Sequence, residues 1–454
     1  MVGIGGIGMS GIAALLHGQG YEVSGSDLTV SPAAVRLREA GIRVAEGHAA
    51  DAIGRPDIVV VSSAVPFDNP ELVEARRRGI PVIARGAMLA ELARLKRSVA
   101  VVGSHGKTTT TSMVAFVLQA AGFDPTVVVG GQVSAFGGNA REGQGPLMVL
   151  EADESDRSFL ELAPEVAVLT NVDDEHLEAY EGIAGLERAF TVFAARVPDT
   201  GCVVACADDD RLARLVRECP RRAVTYGIEA VAAHVKARDL ELEGQGSRCR
   251  VTVKTDGGRD DTLLELAVPG RHNLLDALAA IAVASWFGIR PAAAADALRR
   301  FPGVDRRFER HRAPGGIEIV DDYGHHPTEI AAVIETARLS VPPRLIVVFQ
   351  PHRYTRTARL LDAFGRALAG ADAVIVTEIY SASEAPIDGV DARAVAAAVR
   401  RHGQVPVMLA AGLDEASALA AESAAPGDMI VVLGAGSISQ LRRRIIDHLG
   451  RRGT

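Results

Sequence analysis

The chain has 454 residues, 48% of them hydrophobic and 23% charged, with a formal net charge of −8. That length predicts two to four domains at about 100–200 residues each, with three as the central expectation. The acidic balance argues against a nucleic-acid or anionic-membrane partner, and no run of about 18 apolar residues offers a transmembrane helix.

Residues 1–95 alternate strand and helix signals. "MVGIGG" ends a strand, "MSGIAALLHGQG" is a helix stopped by glycine, "YEVSGSD" is a strand, "SPAAVRLREAG" a capped helix and "DIVVVSSAV" a buried strand. Such alternation implies a parallel sheet with crossover helices. Only Met1 and Val2 precede Gly3, where a strand of about five residues is normal. The numbered chain is therefore expected to begin inside the first strand, through truncation or a misplaced start. The N-terminus lacks a basic region and is broken by glycines, so it is not read as a signal peptide.

A second unit begins near Lys96: strand "RSVAVVG", a Gly-Lys-Thr loop, helix "TTSMVAFVLQAAG", then strands "PLMVLEAD" and "EVAVLTNV". The stretch from about 230 to 270 is polar and β-rich, with a hairpin expected around "TDGGRDD", and "NLLDALAAIAVASWFG" is a helix. A third unit starts near Pro302 and alternates again from "EIVDDYGHHP" to "DMIVVLGAG" and a closing helix. The expected fold class is α/β in three domains, an N-terminal Rossmann-like domain, a central P-loop ATPase-like α/β domain and a C-terminal Rossmann-like domain, at 1–95, 96–300 and 301–454. Cys202, Cys206, Cys219 and Cys249 form no C-x-x-C pair, which predicts reduced, incidental thiols and a cytoplasmic protein.

Two glycine-rich turns stand out. Gly3, Gly5 and Gly8 fit G-x-G-x-x-G, with Asp27 about 20 residues beyond. Any diphosphate-bearing nucleotide suits that turn, a UDP-sugar as well as NAD, and no evident hydride site follows. The second turn is Gly103-Ser104-His105-Gly106-Lys107-Thr108. The strict G-x-x-x-x-G-K-[ST] pattern fails, because Val101 occupies the first glycine position. The physics persists: glycines let backbone N–H groups approach phosphate oxygens, a helix N-terminus favours an anion, and lysine adds a point charge. The Thr108 hydroxyl suits Mg²⁺.

Acidic stretches end two apolar strands. Glu151, Asp153, Glu154 and Asp156 lie in "LEADESDRSFL", and Asn171, Asp173, Asp174, Glu175 and His176 in "TNVDDEHLEAY". Crowded carboxylates need a cation or solvent, so these read as Mg²⁺ ligands or as solvated loops. Arg271, His272 and Asn273 open a helix, suited to phosphate or base recognition or to capping. Arg306, Arg307 and Arg310 form a basic run. "DDYGHHPTE" and "FQPHRYTRT" follow apolar strands and offer Asp321, Asp322, Tyr323, His325 and His326, with His352, Arg353 and Arg356. Carboxyl ends of parallel strands are where such domains bind ligands.

Taken in order, "VGIGGIGMSGIA", "GSHGKTTTT", "EADESDRSFL", "TNVDDEHLEAY", "GRHN", "DDYGHHPTE" and "FQPHRYTRT" resemble the Mur ligases of cell-wall synthesis, and most of all their alanine-adding branch. The likeness runs from residue 1 to about 440. It implies a domain for a UDP-substrate, an ATPase domain, and a third domain that closes on ATP and the amino acid. The implied reaction joins L-alanine to the lactyl carboxylate of UDP-N-acetylmuramate, using ATP, two Mg²⁺ ions and an acyl phosphate, in peptidoglycan precursor synthesis. By the same resemblance Gly3, Gly5, Gly6, Gly8, Met9, Ser10 and Asp27 hold the UDP-sugar. Gly103, Ser104, His105, Gly106, Lys107, Thr108, Thr109, His272, Asn273 and Arg307 hold ATP. Thr108, Glu151 and His176 ligate metal. Tyr323, His325, Arg353 and Arg356 hold alanine and the acyl group, and Lys107, Glu151, His176, His325, Arg353 and Arg356 carry catalysis. Partners are small molecules alone, with neither nucleic acid nor membrane, in a monomer or homodimer. Several Mur ligases of other specificity carry a carbamylated lysine downstream of the metal histidine. Thr191 stands there, so no carbamate is expected. The rivals are a ligase that recycles a tripeptide onto the same sugar nucleotide, a nicotinamide dehydrogenase, and a non-catalytic P-loop switch.

Overall fold

The computed structural model describes residues 1–255 and 257–452. The chain forms two compact units. One comprises Met1–Leu240, Cys249–Glu265 and Leu274–Val304, the other Glu241–Arg248, Leu266–Asn273 and Asp305–Thr454.

The first unit begins with a small parallel sheet. Strands Arg43–Glu46 and Ser24–Asp27 pair on one side, Val59–Val61 and Val82–Ala84 on the other. Val2 bridges both Ser26 and Val61 in parallel. The first strand is thus one residue wide, yet it is the middle of the sheet. Val2 N–H donates to Val60 O at 2.9 Å and Gly3 N–H to Ser26 O at 2.9 Å. Helices cover both faces, with Ile4, Ala13, Ala34, Leu37, Ile42 and Val44 buried on one and Val2, Ile53, Val59, Leu72 and Ala75 on the other. Ser31 caps helix Pro32–Glu39 by accepting from Ala34 N–H, as the Ser-Pro pair in the sequence predicts.

The large sheet of this unit has Arg97–Val102 at its centre, flanked in parallel by Leu147–Glu151 and Val166–Leu169. Cys202–Cys206 and Ala223–Gly227 extend it on one side, and Thr126–Val133 with Gly138–Arg141 on the other. A run of strands Val235–Glu243, Gly246–Thr255 and Gly258–Leu266 completes the polar β-rich segment. Of the expected hairpin around "TDGGRDD", Asp256 lies outside the described residues. The strands read as continuous apolar runs because both faces are buried: Val99, Ala100, Val101 and Val102 are all 0% exposed. The four cysteines are free.

In the second unit the strand order is Glu309–Arg312, Glu318–Asp322, Met429–Leu433, Leu345–Phe349, Ala373–Thr377 and Val407–Ala410. All are parallel except the first. The last strand in sequence thus inserts between Glu318–Asp322 and Leu345–Phe349. Order reverses there, which opens a crevice at the strand carboxyl ends. Among the described residues no helix is long and apolar enough to cross a membrane.

Candidate functional site

The first glycine turn packs against its own sheet. Gly5 N–H donates to Asp27 Oδ2 at 2.7 Å and Ser31 Oγ donates to Gly5 O at 3.0 Å, so Asp27 braces the turn. Gly3 has φ 78°, in the region that favours glycine. Gly6 begins helix Ile7–Gly18 as its N-cap. At Gly8 the Arg85 side chain packs close, so a Cβ there would lie 2.7 Å from Arg85 Nη1 and displace the guanidinium. Met9 is fully buried and Ser10 is 4% exposed. The Ser10 hydroxyl donates to Ile7 O at 2.9 Å.

The Gly-Lys-Thr loop joins strand Arg97–Val102 to helix Lys107–Ala120, between the carboxyl ends of Leu147–Glu151 and Val166–Leu169. Asn171 bolts it in place, accepting from His105 N–H at 2.9 Å and donating to His105 O at 3.0 Å. Thr170 Oγ1 donates to the same carbonyl at 2.7 Å, Ser104 Oγ accepts from Asp173 N–H at 2.8 Å, and His105 Nε2 lies 2.9 Å from Asp173 Oδ2. Gly106 has φ 79°, and a Cβ there would meet Asp276 Oδ1 at 2.7 Å. Asp276 also accepts from Thr110 Oγ1 at 2.7 Å, so it buttresses the helix start. Thr109 is buried at 7% exposure.

Lys107 Nζ donates to Gly103 O at 2.6 Å, Ser104 O at 3.1 Å and Glu154 Oε1 at 2.9 Å. Burial alone would push this ammonium down. Glu154, Glu151 and Glu175 more than reverse that and hold it above the ordinary lysine range. Glu154 is pushed up by burial, against the pull of Lys107, to about 7. Thr108 Oγ1 donates to Glu151 Oε2 at 2.9 Å, and that oxygen also accepts from Gly130 N–H at 2.7 Å. A hydroxyl and a carboxylate side by side at a helix N-terminus are hard oxygen donors of the kind Mg²⁺ takes. His176 lies 3.7 Å from Glu175, and Glu175 is also 3.7 Å from His105. Glu175 thus links the loop to His176.

Gly103 allows one further prediction. Its φ is 154°, and a Cβ there would overlap Thr170 Oγ1, the group that anchors His105 O. Gly103→Ala is expected to cost about 2 kcal/mol of stability, since nothing rigid around it can move. It should also reduce ADP formation more than any stability loss explains. Urea unfolding and initial rates on the same preparation check this.

In the second unit Tyr323, His325, His352 and Arg356 come together, with Arg306 and Arg307 beside them. Tyr323 lies beneath two guanidiniums, Arg306 at 5.3 Å and Arg307 at 5.1 Å from its ring centre. His325 meets Tyr323 edge-on at 5.3 Å and His352 at 5.8 Å. His352 stacks on Tyr380 at 5.5 Å. Arg356 Nη1 lies 3.3 Å from His352 Nδ1; arginine only donates, so Nδ1 accepts and the ring is neutral. Burial, then His325, Arg356 and Arg353, push His352 down to about 3. Arg353 holds φ 69° at the N-terminus of helix Tyr354–Leu368, and its backbone N–H donates to Tyr380 O at 2.8 Å. A non-glycine residue at positive φ costs free energy and marks a site the surroundings enforce. His272 is pushed down to about 4 by burial and Arg307. Asn273 turns inward to donate to Pro269 O at 2.6 Å.

Sequence reasoning missed Tyr380, Gln350 and the turn Gly434–Gly436. Gln350 Oε1 accepts from Ile438 N–H at 3.0 Å, and a Cβ on Gly436 would lie 2.6 Å from Tyr380 Cγ. "VVLGAGS" carried the signal, as a third glycine-rich turn after an apolar strand.

The depressed histidines fix a pH dependence. A histidine whose folded pKa lies below its unfolded 6.5 stabilises the fold above that pH, and the contribution fades as pH falls toward the folded value. Stability is expected to drop between pH 6.5 and about 4, and His272→Gln should flatten that slope. Urea midpoints measured across the range check it.

A glycine-rich turn, a Gly-Lys-Thr loop backed by carboxylates and a histidine–arginine crevice, all on α/β scaffolds, mark a multidomain α/β ligase. The chain belongs to the Mur ligase family: the family's catalytic domain matches residues 1–97, its middle domain 101–284 and its glutamate ligase domain 306–436. Three α/β domains in series are therefore present. The chain is 49% identical to a UDP-N-acetylmuramate–L-alanine ligase of Solibacter usitatus, covering 99% of this chain and 95% of that one. It is 48% identical to a UDP-N-acetylmuramate–L-alanine ligase of Anaeromyxobacter dehalogenans, covering 96% of this chain and 94% of that one. Among solved structures it is similar to a UDP-N-acetylmuramate-alanine ligase of Thermotoga maritima, with TM-score 0.84, 32% identity and coverage of 99% and 98%.

Proposed function

We propose that the chain catalyses ATP + UDP-N-acetylmuramate + L-alanine → ADP + phosphate + UDP-N-acetylmuramoyl-L-alanine. The observation that carries this is the Gly103–Thr108 loop, with Lys107 among carboxylates and Thr108 on Glu151, in a chain that matches alanine-adding ligases over nearly its whole length. The division of labour follows residues 1–95, 96–300 and 301–454, binding UDP-sugar, ATP, and amino acid with ATP respectively.

A carboxylate is a poor acyl donor because its leaving group would be oxide. An oxygen of the lactyl carboxylate therefore attacks the γ-phosphorus, ADP leaves, and an acyl phosphate forms. The amine of alanine then attacks the acyl carbon, and phosphate departs with that oxygen. The first step brings two anions together, so cationic groups must offset their repulsion. Lys107 is that group in the loop. Thr108 and Glu151, with His176, would hold magnesium, which supplies further positive charge at the phosphates. The N–H groups of Gly106, Lys107, Thr108 and Thr109, at a helix start, suit phosphate oxygens. His272, Asn273 and Arg307 serve the nucleotide. Gly3, Gly5, Gly6 and Gly8, with Met9, Ser10 and Asp27, shape the UDP-sugar turn. In the crevice, the Arg353 and Arg356 forks suit a carboxylate, Tyr323 walls the site, and His325, whose ring Nδ1 lies 3.5 Å from Glu329 Oε2, is set to receive the amine proton. Substrates are small molecules, and the reaction belongs in the cytoplasm.

The test is coupled ADP release with UDP-N-acetylmuramate and a panel of acceptors. L-alanine should support turnover and a tripeptide should not. Turnover with the tripeptide alone would make this the recycling ligase, and none with any acceptor would end the reading.

A further inference from the structure

The three N–H groups of Lys107 are all engaged by protein acceptors: Gly103 O, Ser104 O and Glu154 Oε1. A phosphate recruited to this ammonium has to replace at least one of them. The two carbonyls belong to the loop that itself wraps the phosphate. Glu154 comes from a different strand end and is fixed there. Its backbone carbonyl accepts from Tyr180 OH at 2.5 Å, and the adjacent Asp153 is held by Arg85 at 2.8 Å. Glu154 is 1% exposed, and its second oxygen is buried with no hydrogen-bond partner. The carboxylate therefore cannot follow the lysine or turn to solvent. Two anions on one buried ammonium repel each other, so Glu154 is the acceptor a phosphate opposes.

We infer that Glu154 is a positioning residue that competes with nucleotide phosphate for Lys107 and so limits nucleotide affinity. This rests on the reading of the loop as a phosphate site. Its use is turnover, since a lysine with a resident counter-ion releases product phosphates more readily. An interaction made only in the Glu154-paired arrangement, once removed, favours the phosphate-paired one.

Glu154→Gln keeps the shape and an acceptor but removes the charge. ADP titrated calorimetrically into full-length protein with magnesium should bind about tenfold more tightly to this variant. Glu154→Asp keeps the charge but draws it back by one methylene, so it should tighten ADP by less than Glu154→Gln does. Tyr180→Phe frees the Glu154 backbone without touching the charge, and should tighten ADP by a smaller factor; it carries the test if Glu154→Gln does not fold. Unchanged or weaker ADP binding in Glu154→Gln, or in Tyr180→Phe where that variant stands in, would overturn the inference. Failure of the wild type to bind ADP would instead remove the phosphate loop on which it rests.

Discussion

Lys107→Ala is expected to lower ADP formation by about three orders of magnitude or more, while UDP-sugar affinity stays within about threefold of wild type. Lys107 is the ammonium of the loop and is surrounded by Glu151, Glu154 and Glu175. Without it, the γ-phosphoryl group and an attacking carboxylate would meet in a field of carboxylates alone. The sugar nucleotide should be spared because the turn proposed to hold it, Gly3–Gly8, is built on a different sheet, braced by Asp27 and Ser31. The variant also strands the buried Glu154 carboxylate, so a lower melting temperature is expected, and binding of the UDP-sugar shows that the fold survives. Normal turnover in this variant would remove the loop from the chemistry.

Arg353→Ala should lower kcat/KM for alanine by about a hundredfold, mostly through KM if Arg353 holds the amino acid's carboxylate. Its backbone makes the experiment clean. Arginine and alanine are both unfavourable at φ 69°, so the substitution removes a guanidinium without relieving the backbone. Arg353→Lys should recover only part of the loss, because an ammonium lacks the planar fork. Unaffected kinetics for alanine would take Arg353 out of the site.

Much of the fold was legible because buried parallel strands leave continuous apolar runs and each helix is punctuated. "RLIVVFQP" contains the strand Leu345–Phe349, and "TEIAAVIETARL" falls in helix Pro327–Arg338 up to its C-cap, Leu339. The first strand was legible only in part. Val2 is its sole paired position, and its central place depends on hydrogen bonds to residues about 25 and 60 positions away. Turns that must approach phosphate, or another backbone, announce themselves through glycine. The partners of those turns do not. Nothing local marks Glu154, among four acids in six residues, as the one paired with Lys107, or Asp276, well over a hundred residues on, as the buttress behind Gly106. Tyr380 was hidden likewise, because its role comes from stacking on His352 across adjacent strand ends.

The most direct measurement is the fate of oxygen. UDP-N-acetylmuramate labelled with ¹⁸O in its lactyl carboxylate, incubated with the protein, ATP, magnesium and L-alanine, should yield inorganic phosphate carrying one ¹⁸O per amide formed. Phosphate free of label, with amide still produced, would contradict phosphoryl transfer to the acid.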